Sequence, residues 1–203
     1  GSSTFTMNST DGTLTGSPVT FFNHFSIGTA ALVTANSDFS VAGNYTNNGT
    51  YDGTIGNLTM TGSAAATIGG TPVSNALSQL IIAKTGGATV TMAVGLIDVF
   101  TLYIQSGTLF TSTYGITQDV TGGFLIIDDG ATLRLGGTNS LPAFSGCGLD
   151  ANSNVDYAGS TQSVANAAVY GNLWITAAGN KTAIVPFTTL GNFTLSAGTF
   201  TSA

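Results

Sequence analysis

The adjacent carboxylates Asp128 and Asp129 form the densest acidic spot of the sequence. Enzymes that cleave polysaccharides use clustered carboxylates, either to hold Ca²⁺ or as an acid and a base. Neighbouring residues of a strand point to opposite faces, however, and Gly130 follows the pair. We therefore interpret Asp128, Asp129 and Gly130 as a turn, and a metal or catalytic site is the alternative. The remaining aspartates are dispersed: Asp11, Asp38, Asp52, Asp98, Asp119, Asp150 and Asp156.

The single histidine and the single cysteine are far apart in the sequence. His24 lies between Asn23 and Phe25, and we expect it on the surface or in a groove, opposite Phe25. Cys147 cannot form an internal disulfide, and in a strand-rich chain we expect it to be a small buried hydrophobe. A metal site would need companion ligands. We assign no catalytic, cofactor-binding or metal-binding residue, we expect no cofactor, and the chain is predicted not to be an enzyme.

Trp174 is the best single candidate for a contact surface. Leu173 and Ile175 flank it, so strand alternation places the indole on the outer face, where its apolar body and N–H are both useful. The other aromatics occupy repeat positions that are predicted to point inward into core stacks: Phe21, Phe22, Phe25, Phe39, Tyr45, Tyr51, Phe100 and Phe124.

Two further patterns have ordinary interpretations. Thr-x-Thr pairs occur at 4–6, 13–15, 59–61, 89–91 and 111–113. Ranks of such pairs on a flat face could bind ice, but their intervals keep no single period, so outward-facing threonines are the favoured interpretation. Glycosylation sequons begin at Asn8, Asn44, Asn48, Asn57, Asn180 and Asn192, and in a bacterial chain rich in Asn and Thr most of them are compositional.

The composition favours an all-β protein that folds. Charged residues make up 6% of the chain, all nine acids are Asp, and the bases are Lys84, Arg134 and Lys181. Good helix formers are therefore scarce, whereas strand and turn residues are abundant. The formal charge of −6 argues against a nucleic-acid partner or an anionic membrane surface. No apolar run is long enough to insert into a membrane, and without a visible signal peptide or a first Met we expect a mature or excised segment.

Internal repetition predicts the architecture. Residues 80–102 align without a gap with residues 173–195, and residues 21–27 form a weaker third copy. In this alignment Phe25, Leu80 and Leu173 share one position, and Ile27, Ile82 and Ile175 share another, two residues further on. A period of two places both positions on the inner face of a strand.

A finer spacing of 20–24 residues recurs between the short strands, with Gly, Asn or Asp turns between them. This is the length of one coil of a β-solenoid. We predict a right-handed parallel β-helix over residues 1–203, a single continuous segment of a longer array, with about nine coils and a length of roughly 40 Å. Thr101 is expected to face outward. Tandem β-sandwiches are the alternative fold, because a turn every 8–12 residues suits them equally.

The order of these motifs resembles a repeat of large secreted surface proteins of Bacteroidetes-type bacteria. GNYTNNGTYDG at 43–53 matches the first element, and GSAAATI at 62–68 and GSTQSV at 159–164 match the second. LSQLII at 77–82 and GNLWI at 171–175 match the third, and FTLYIQSGTL and FTLSAGTF match the last. Residues 111–154 fit no copy. The resemblance implies a β-helical adhesin or filament region displayed on the cell.

We therefore expect a non-enzymatic, extracellular structural or adhesive segment of a bacterial cell-surface filament or adhesin. Its partners would be a polysaccharide or surface ligand, or like chains joined end to end. One alternative is a polysaccharide-cleaving or tailspike-like β-helix enzyme, which would need at least two carboxylates converging on one groove. Another is an ice-binding solenoid, which would need threonine pairs in ranks on one face.

Overall fold

The computed structural model describes residues 3–15, 20–53, 55–95, 97–165, 167 and 169–202, without the side chain of Thr20. The first strands are β1 (Thr4–Met7), β2 (Gly12–Leu14), β3 (Thr20–Phe22), β4 (His24–Ile27), β5 (Leu32–Ala35), β6 (Phe39–Val41), β7 (Tyr45–Asn47), β8 (Thr50–Gly53) and β9 (Leu58–Met60). They are followed by β10 (Ala66–Gly70), β11 (Ser74–Ala83), β12 (Thr89–Met92), β13 (Asp98–Ser106), β14 (Thr108–Phe110), β15 (Thr117–Gln118), β16 (Phe124–Ile127), β17 (Thr132–Leu135) and β18 (Gly146–Leu149). The last are β19 (Asn154–Tyr157), β20 (Gln162–Val164), β21 (Val169–Tyr170), β22 (Asn172–Ile175), β23 (Asn180–Ala183), β24 (Thr188–Thr189), β25 (Phe193–Leu195) and β26 (Thr199–Ser202).

The strands stack into a parallel β-solenoid, as the sequence predicts. A ten-stranded sheet, here called face 1, runs in the order β1-β4-β7-β10-β12-β14-β17-β19-β22-β25. Each step along it advances one coil of 18 residues, between Asn154 and Asn172, to 24 residues, between Ala66 and Val90. Nine such steps agree with the predicted coil number, and the observed coil length extends slightly below the predicted range. The right-handed sense stays a prediction.

The other strands form the remaining sides of each coil. An eleven-stranded sheet contains β2, β5, β8, β11, β13, β16 and β18 along its main path, with β3, β6, β9 and β15 beside it. Two small sheets, β20-β23-β26 and β21-β24, continue the stack toward the C-terminus. Every strand pair among the described residues is parallel, for example β1 with β4 and β11 with β13. Tandem sandwiches of antiparallel sheets are therefore wrong for this chain. The described residues include no helix that is long and apolar enough to cross a membrane.

Alternation along the strands builds the core. The six predicted inward residues are all at most 1% exposed: Phe25, Ile27, Leu80, Ile82, Leu173 and Ile175. Their neighbours in sequence turn outward, as in the pattern of β22, where Leu173 and Ile175 are buried and Trp174 is only half-buried. The prediction of inward positions is confirmed.

The long repeat, however, does not join equivalent positions of the coil. Leu80 pairs with Leu58 and Leu102 in the eleven-stranded sheet, whereas Leu173 pairs with Val155 and Phe193 on face 1. A strand on any side of a solenoid alternates inward and outward with the same period of two. Sequences from different sides therefore align well, and the alignment reports burial rather than position on the coil.

A bend within β13 overturns the outward prediction for Thr101. Thr101 and Leu102 are buried in succession, while Phe100 before them is exposed. The Thr101 hydroxyl accepts a hydrogen bond from the backbone N–H of Phe124 on the next coil over 3.4 Å. The strand turns a corner here, so simple alternation fails.

The predicted inward aromatics divide into two groups. Phe25, Phe39, Tyr45 and Tyr51 are buried and Phe22 packs against them, with Phe25 and Tyr45 stacked at 6.0 Å between ring centroids. The remaining three are exposed, which corrects the prediction for Phe21, Phe100 and Phe124.

Cys147 is exposed, so its predicted burial is also wrong. It pairs with the buried Leu125, an inward position. Yet β18 is the last strand of its sheet, and among the described strands it pairs with β16 alone. No described strand continues the sheet past β18, so the usual cover of an inward residue is missing at this point.

Two of the three basic side chains are buried inside the coils. Lys84 and Lys181 have no exposed surface. The ammonium group of Lys181 donates to the carbonyl oxygens of Gly159 and Ser160, over 3.0 and 2.7 Å. Burial lowers the pKa of both lysines. These cations serve the backbone of the stack rather than the surface.

Candidate functional site

The outward side chains of face 1 form a straight column, one residue per coil. Strand register and backbone hydrogen bonds place its members one above another, and we call this set the outer column: Thr4, His24, Asn44, Thr67, Thr91, Phe110, Arg134, Asp156, Trp174 and Thr194. Neighbouring members are separated by one strand spacing, about 4.8 Å. Its second half carries most of the aromatic and charged groups, and it is the candidate site.

Arg134 is the centre of this half. Its guanidinium carbon lies 5.0 Å from the centroid of the Phe110 ring on the preceding coil. Its Nε donates to a carboxylate oxygen of Asp156 on the following coil over 3.2 Å. A guanidinium that is stacked on one side and paired on the other is held in a fixed plane. About half of the Arg134 side chain nevertheless stays exposed.

Asp156 is the buried partner of this pair. Its side chain is 8% exposed, and its second carboxylate oxygen accepts a hydrogen bond from the Thr176 hydroxyl over 2.6 Å. Burial raises the pKa of Asp156, although Thr176, Arg134 and Lys181 act in the opposite direction. Trp174 lies directly beside Asp156 in the register and is half-buried. The outward orientation predicted for Trp174 is confirmed.

Arg134 also has a special electrostatic position. The chain contains three Lys and Arg residues, and the two lysines are fully buried. Arg134 is therefore the one Lys or Arg side chain that reaches solvent, on a protein with a formal charge of −6. Because Asp156 neutralises it, the site is planar and polar but carries little net charge.

A second outward row on face 1 runs beside this half of the column. Its side chains are amides and hydroxyls, and we call it the polar row: Thr89, Thr108, Thr132, Asn154 and Asn172. The Asn172 amide donates to the Asn154 amide oxygen over 3.1 Å, and Asn154 donates to the Thr132 hydroxyl over 3.4 Å. The coils are thus joined by side-chain bonds along the axis.

The acidic pair lies in a turn, as expected. Gly130 has a φ of +77°, and the Ala131 N–H donates to the Asp128 carbonyl. Asp128 accepts a hydrogen bond from the Tyr103 hydroxyl over 2.6 Å, and this bond raises the pKa of Tyr103. Asp129 instead accepts from the backbone N–H and the amide of Asn152, over 3.0 and 3.2 Å. The two carboxylates therefore bond different partners on neighbouring coils.

The part of the chain that the structure describes holds no group of three or more His, Cys or Asp residues that could bind a metal ion. His24 is half-buried and its Nδ1 accepts a hydrogen bond from the Asn44 N–H over 2.9 Å. That contact belongs to the outer column, where His24 faces away from the buried Phe25. The expected surface position of His24 is confirmed.

The Thr-x-Thr pairs do not form ranks. Only the pairs at 4–6 and 89–91 lie on face 1, on β1 and β12, and three intervening strands of the sheet separate them. The pair at 13–15 begins in β2 and that at 59–61 in β9, both in the other large sheet. The asparagines of the six sequons are exposed or half-buried, and their glycosylation stays a prediction.

The sequence interpretation missed Phe110, Arg134 and Asp156 as members of one site. The signal was present in their spacing. They follow one another at 24 and 22 residues, and Trp174 follows at 18, which are all coil lengths. Asp156 looked dispersed because the sequence was searched for neighbours along the chain rather than along the stack.

The fold and this column define the class of the protein as a parallel β-solenoid with an ordered polar and aromatic outer face. Comparisons of the chain with protein-family models, with curated proteins and with solved structures gave no match. The resemblance to Bacteroidetes-type surface repeats therefore stays a prediction.

Proposed function

We propose that the chain is a non-enzymatic, extracellular structural or adhesive segment of a bacterial cell-surface filament or adhesin. The observation that carries the proposal is the use of polar side chains along the stack. The amides and hydroxyls of the polar row bond one coil to the next, as Asn172 does to Asn154. Side chains used in this way make a continuous rod.

The carboxylates give the same support. Asp128 and Asp129 are bound by Tyr103 and Asn152, and Asp156 by Arg134 and Thr176. A glycosidase needs two carboxylates facing one substrate bond, one of them free to give up or take a proton. Carboxylates that are already committed to neighbouring coils favour a structural role.

The surface location is supported by the resemblance of residues 43–53 and the later motifs to repeats of secreted surface proteins. A stack of nine steps is about 40 Å long, which suits a segment of a longer projecting rod. Like chains would join end to end through their parallel strands, since an uncovered strand pairs readily with another.

Antibody labelling tests the location. An antibody raised against the purified chain should label intact cells that carry the gene, and brief external protease should remove the label. Labelling only after the cells are made permeable would contradict an extracellular role. Electron microscopy of the purified chain tests the association, for which we expect fibres with an axial spacing of about 4.8 Å. Compact single particles would contradict end-to-end joining.

A cleavage assay tests the non-enzymatic part. The purified chain, incubated with a panel of polysaccharides, should release no new reducing ends. The matched control is the double variant Asp128→Asn with Asp129→Asn. Cleavage by the natural chain that is lost in the double variant would make the proposal wrong and would favour the polysaccharide-cleaving alternative.

A further inference from the structure

We propose that the outer column from Phe110 to Trp174 binds a neutral polysaccharide. The inference rests on the adhesive part of the proposed function and names its ligand and its site. Three features of the column carry it: two aromatic side chains at its ends, a fixed ionic pair between them, and the absence of surplus charge.

The aromatic side chains suit the apolar faces of sugar rings. A pyranose presents C–H groups on its faces and hydroxyls at its edge, so it packs on an aromatic face that has polar groups beside it. Phe110 and Trp174 are half-buried, which fixes them while part of each stays accessible. They are three coils apart along face 1, about 14 Å, a length that a short oligosaccharide spans.

The ionic pair suits the hydroxyls at the ring edge. Arg134 uses Nε toward Asp156, and its guanidinium carries further N–H donors on a side chain that is about half exposed. Phe110 and Asp156 hold that group in place, so little side-chain entropy is lost on binding. Beside the pair, Thr108 and Thr132 of the polar row add hydroxyls at the same coil spacing.

Charge selects a neutral chain over an acidic one. Arg134 is the one Lys or Arg side chain that reaches solvent, and Asp156 already neutralises it. A polyanion would therefore meet a surface of formal charge −6 with no unpaired basic side chain to attract it. A neutral polysaccharide meets no such repulsion.

Trp174 makes the test direct, because it is the only tryptophan in the chain. Native electrophoresis in gels that contain mannan, xyloglucan or mixed-linkage β-glucan reports binding, and alginate serves as the acidic comparison. A titration of tryptophan fluorescence with the retarding polysaccharide then reports on this site alone. We expect retardation by at least one neutral polysaccharide, no retardation by alginate, and a saturable change in fluorescence.

Matched variants assign the binding to the column. Trp174→Thr and Phe110→Thr keep a residue type that already occurs in the column at Thr91 and Thr194, so the strands should fold as before. Each should weaken retardation roughly tenfold. The control is Phe21→Thr, since Phe21 is 75% exposed but lies in the other large sheet, and it should bind like the natural chain. Circular dichroism confirms that all three variants are folded.

Each contrary outcome has one meaning. Retardation that persists in Trp174→Thr and Phe110→Thr overturns this site and leaves an adhesive function standing. Retardation by alginate alone overturns the neutral ligand class. If no neutral polysaccharide of the panel retards the chain, the inference is wrong, and the antibody experiment still decides the surface location independently.

Discussion

The ammonium group of Lys84 donates a hydrogen bond to the carbonyl oxygen of Ala42, two coils earlier in the stack, over 2.8 Å. The same group donates to the carbonyl of Thr61 on the coil between them. Lys84 is fully buried, so it joins three successive coils from within the corner of the solenoid. Coil cohesion here depends on a side chain as well as on the strand ladders.

Replacing Lys84 by Met should lower the free energy of unfolding by about 1–3 kcal/mol. The aliphatic stem is kept, but the carbonyls of Ala42 and Thr61 lose a charged donor in a place without solvent. Urea unfolding measures the change. The control Gln105→Met places the same side chain at an exposed position of β13 and should stay within about 0.5 kcal/mol. Equal stability of Lys84→Met and the natural chain would contradict the bridging role.

Ile82→Asp and Ile175→Asp should each destabilise the protein by several kcal/mol, on the order of 3 or more, because each places a carboxylate in the core. Both isoleucines have no exposed surface. Thermal unfolding followed by circular dichroism measures the effect. Thr67→Asp, at an exposed position of β10, is the control and should be close to neutral. An unchanged melting temperature in either core variant would disprove the inward assignment.

Gly123→Ala should destabilise the chain by about 1–3 kcal/mol or more. A methyl group at Gly123 would overlap the carbonyl oxygen of Phe100 on the preceding coil, and backbone atoms cannot move aside cheaply. The matched control is Gly148→Ala, because no heavy atom lies within 4 Å of the added methyl group there. Chemical unfolding of both variants checks the prediction, and a similar midpoint for the two would refute it.

Stability should fall steeply in alkali. Burial raises the pKa of Tyr45, Tyr51, Tyr157 and Tyr170 above the usual 10.0. Above pH 10 the unfolded chain therefore loses tyrosine protons that the folded chain keeps, and stability decreases as pH rises. The two buried lysines act oppositely, since their pKa values are lowered from 10.5 and stability rises with pH until the unfolded lysines have also lost their protons.

We therefore expect a shallow rise in the urea midpoint up to about pH 10 and a steep fall beyond it. Tyr45→Phe should reduce the steepness of the fall, whereas the exposed Tyr114→Phe variant should keep it. A midpoint that does not change above pH 10 would contradict the buried state of these hydroxyls.

Much of the fold was predictable because strand alternation and coil length are both written in the sequence. Ile82 and Ile175 could be placed in the core by a period of two alone. Thr101 could not, because β13 turns a corner there and two buried residues follow each other. Cys147 could not either, since its exposure depends on where the eleven-stranded sheet ends, and no local pattern encodes that end.

The candidate site was predictable only in part. Trp174 is flanked by two apolar residues, and that pattern alone indicates its outward face. Arg134 and Asp156 are brought together by register, since coils of unequal length must still place them on adjacent strands. A search at one fixed period misses such pairs, because the loops between strands absorb the differences in length.

The short rise of each coil gives the stack a large reserve of length. One coil holds 18 to 24 residues along face 1 but adds only about 4.8 Å to the height of the stack. Drawn out fully, the same residues span roughly 60 to 85 Å. Because a coil contacts mainly its neighbours, an end coil can peel away without unravelling the others. Under tension such a rod would lengthen more than tenfold per coil released, and it would yield in steps instead of breaking.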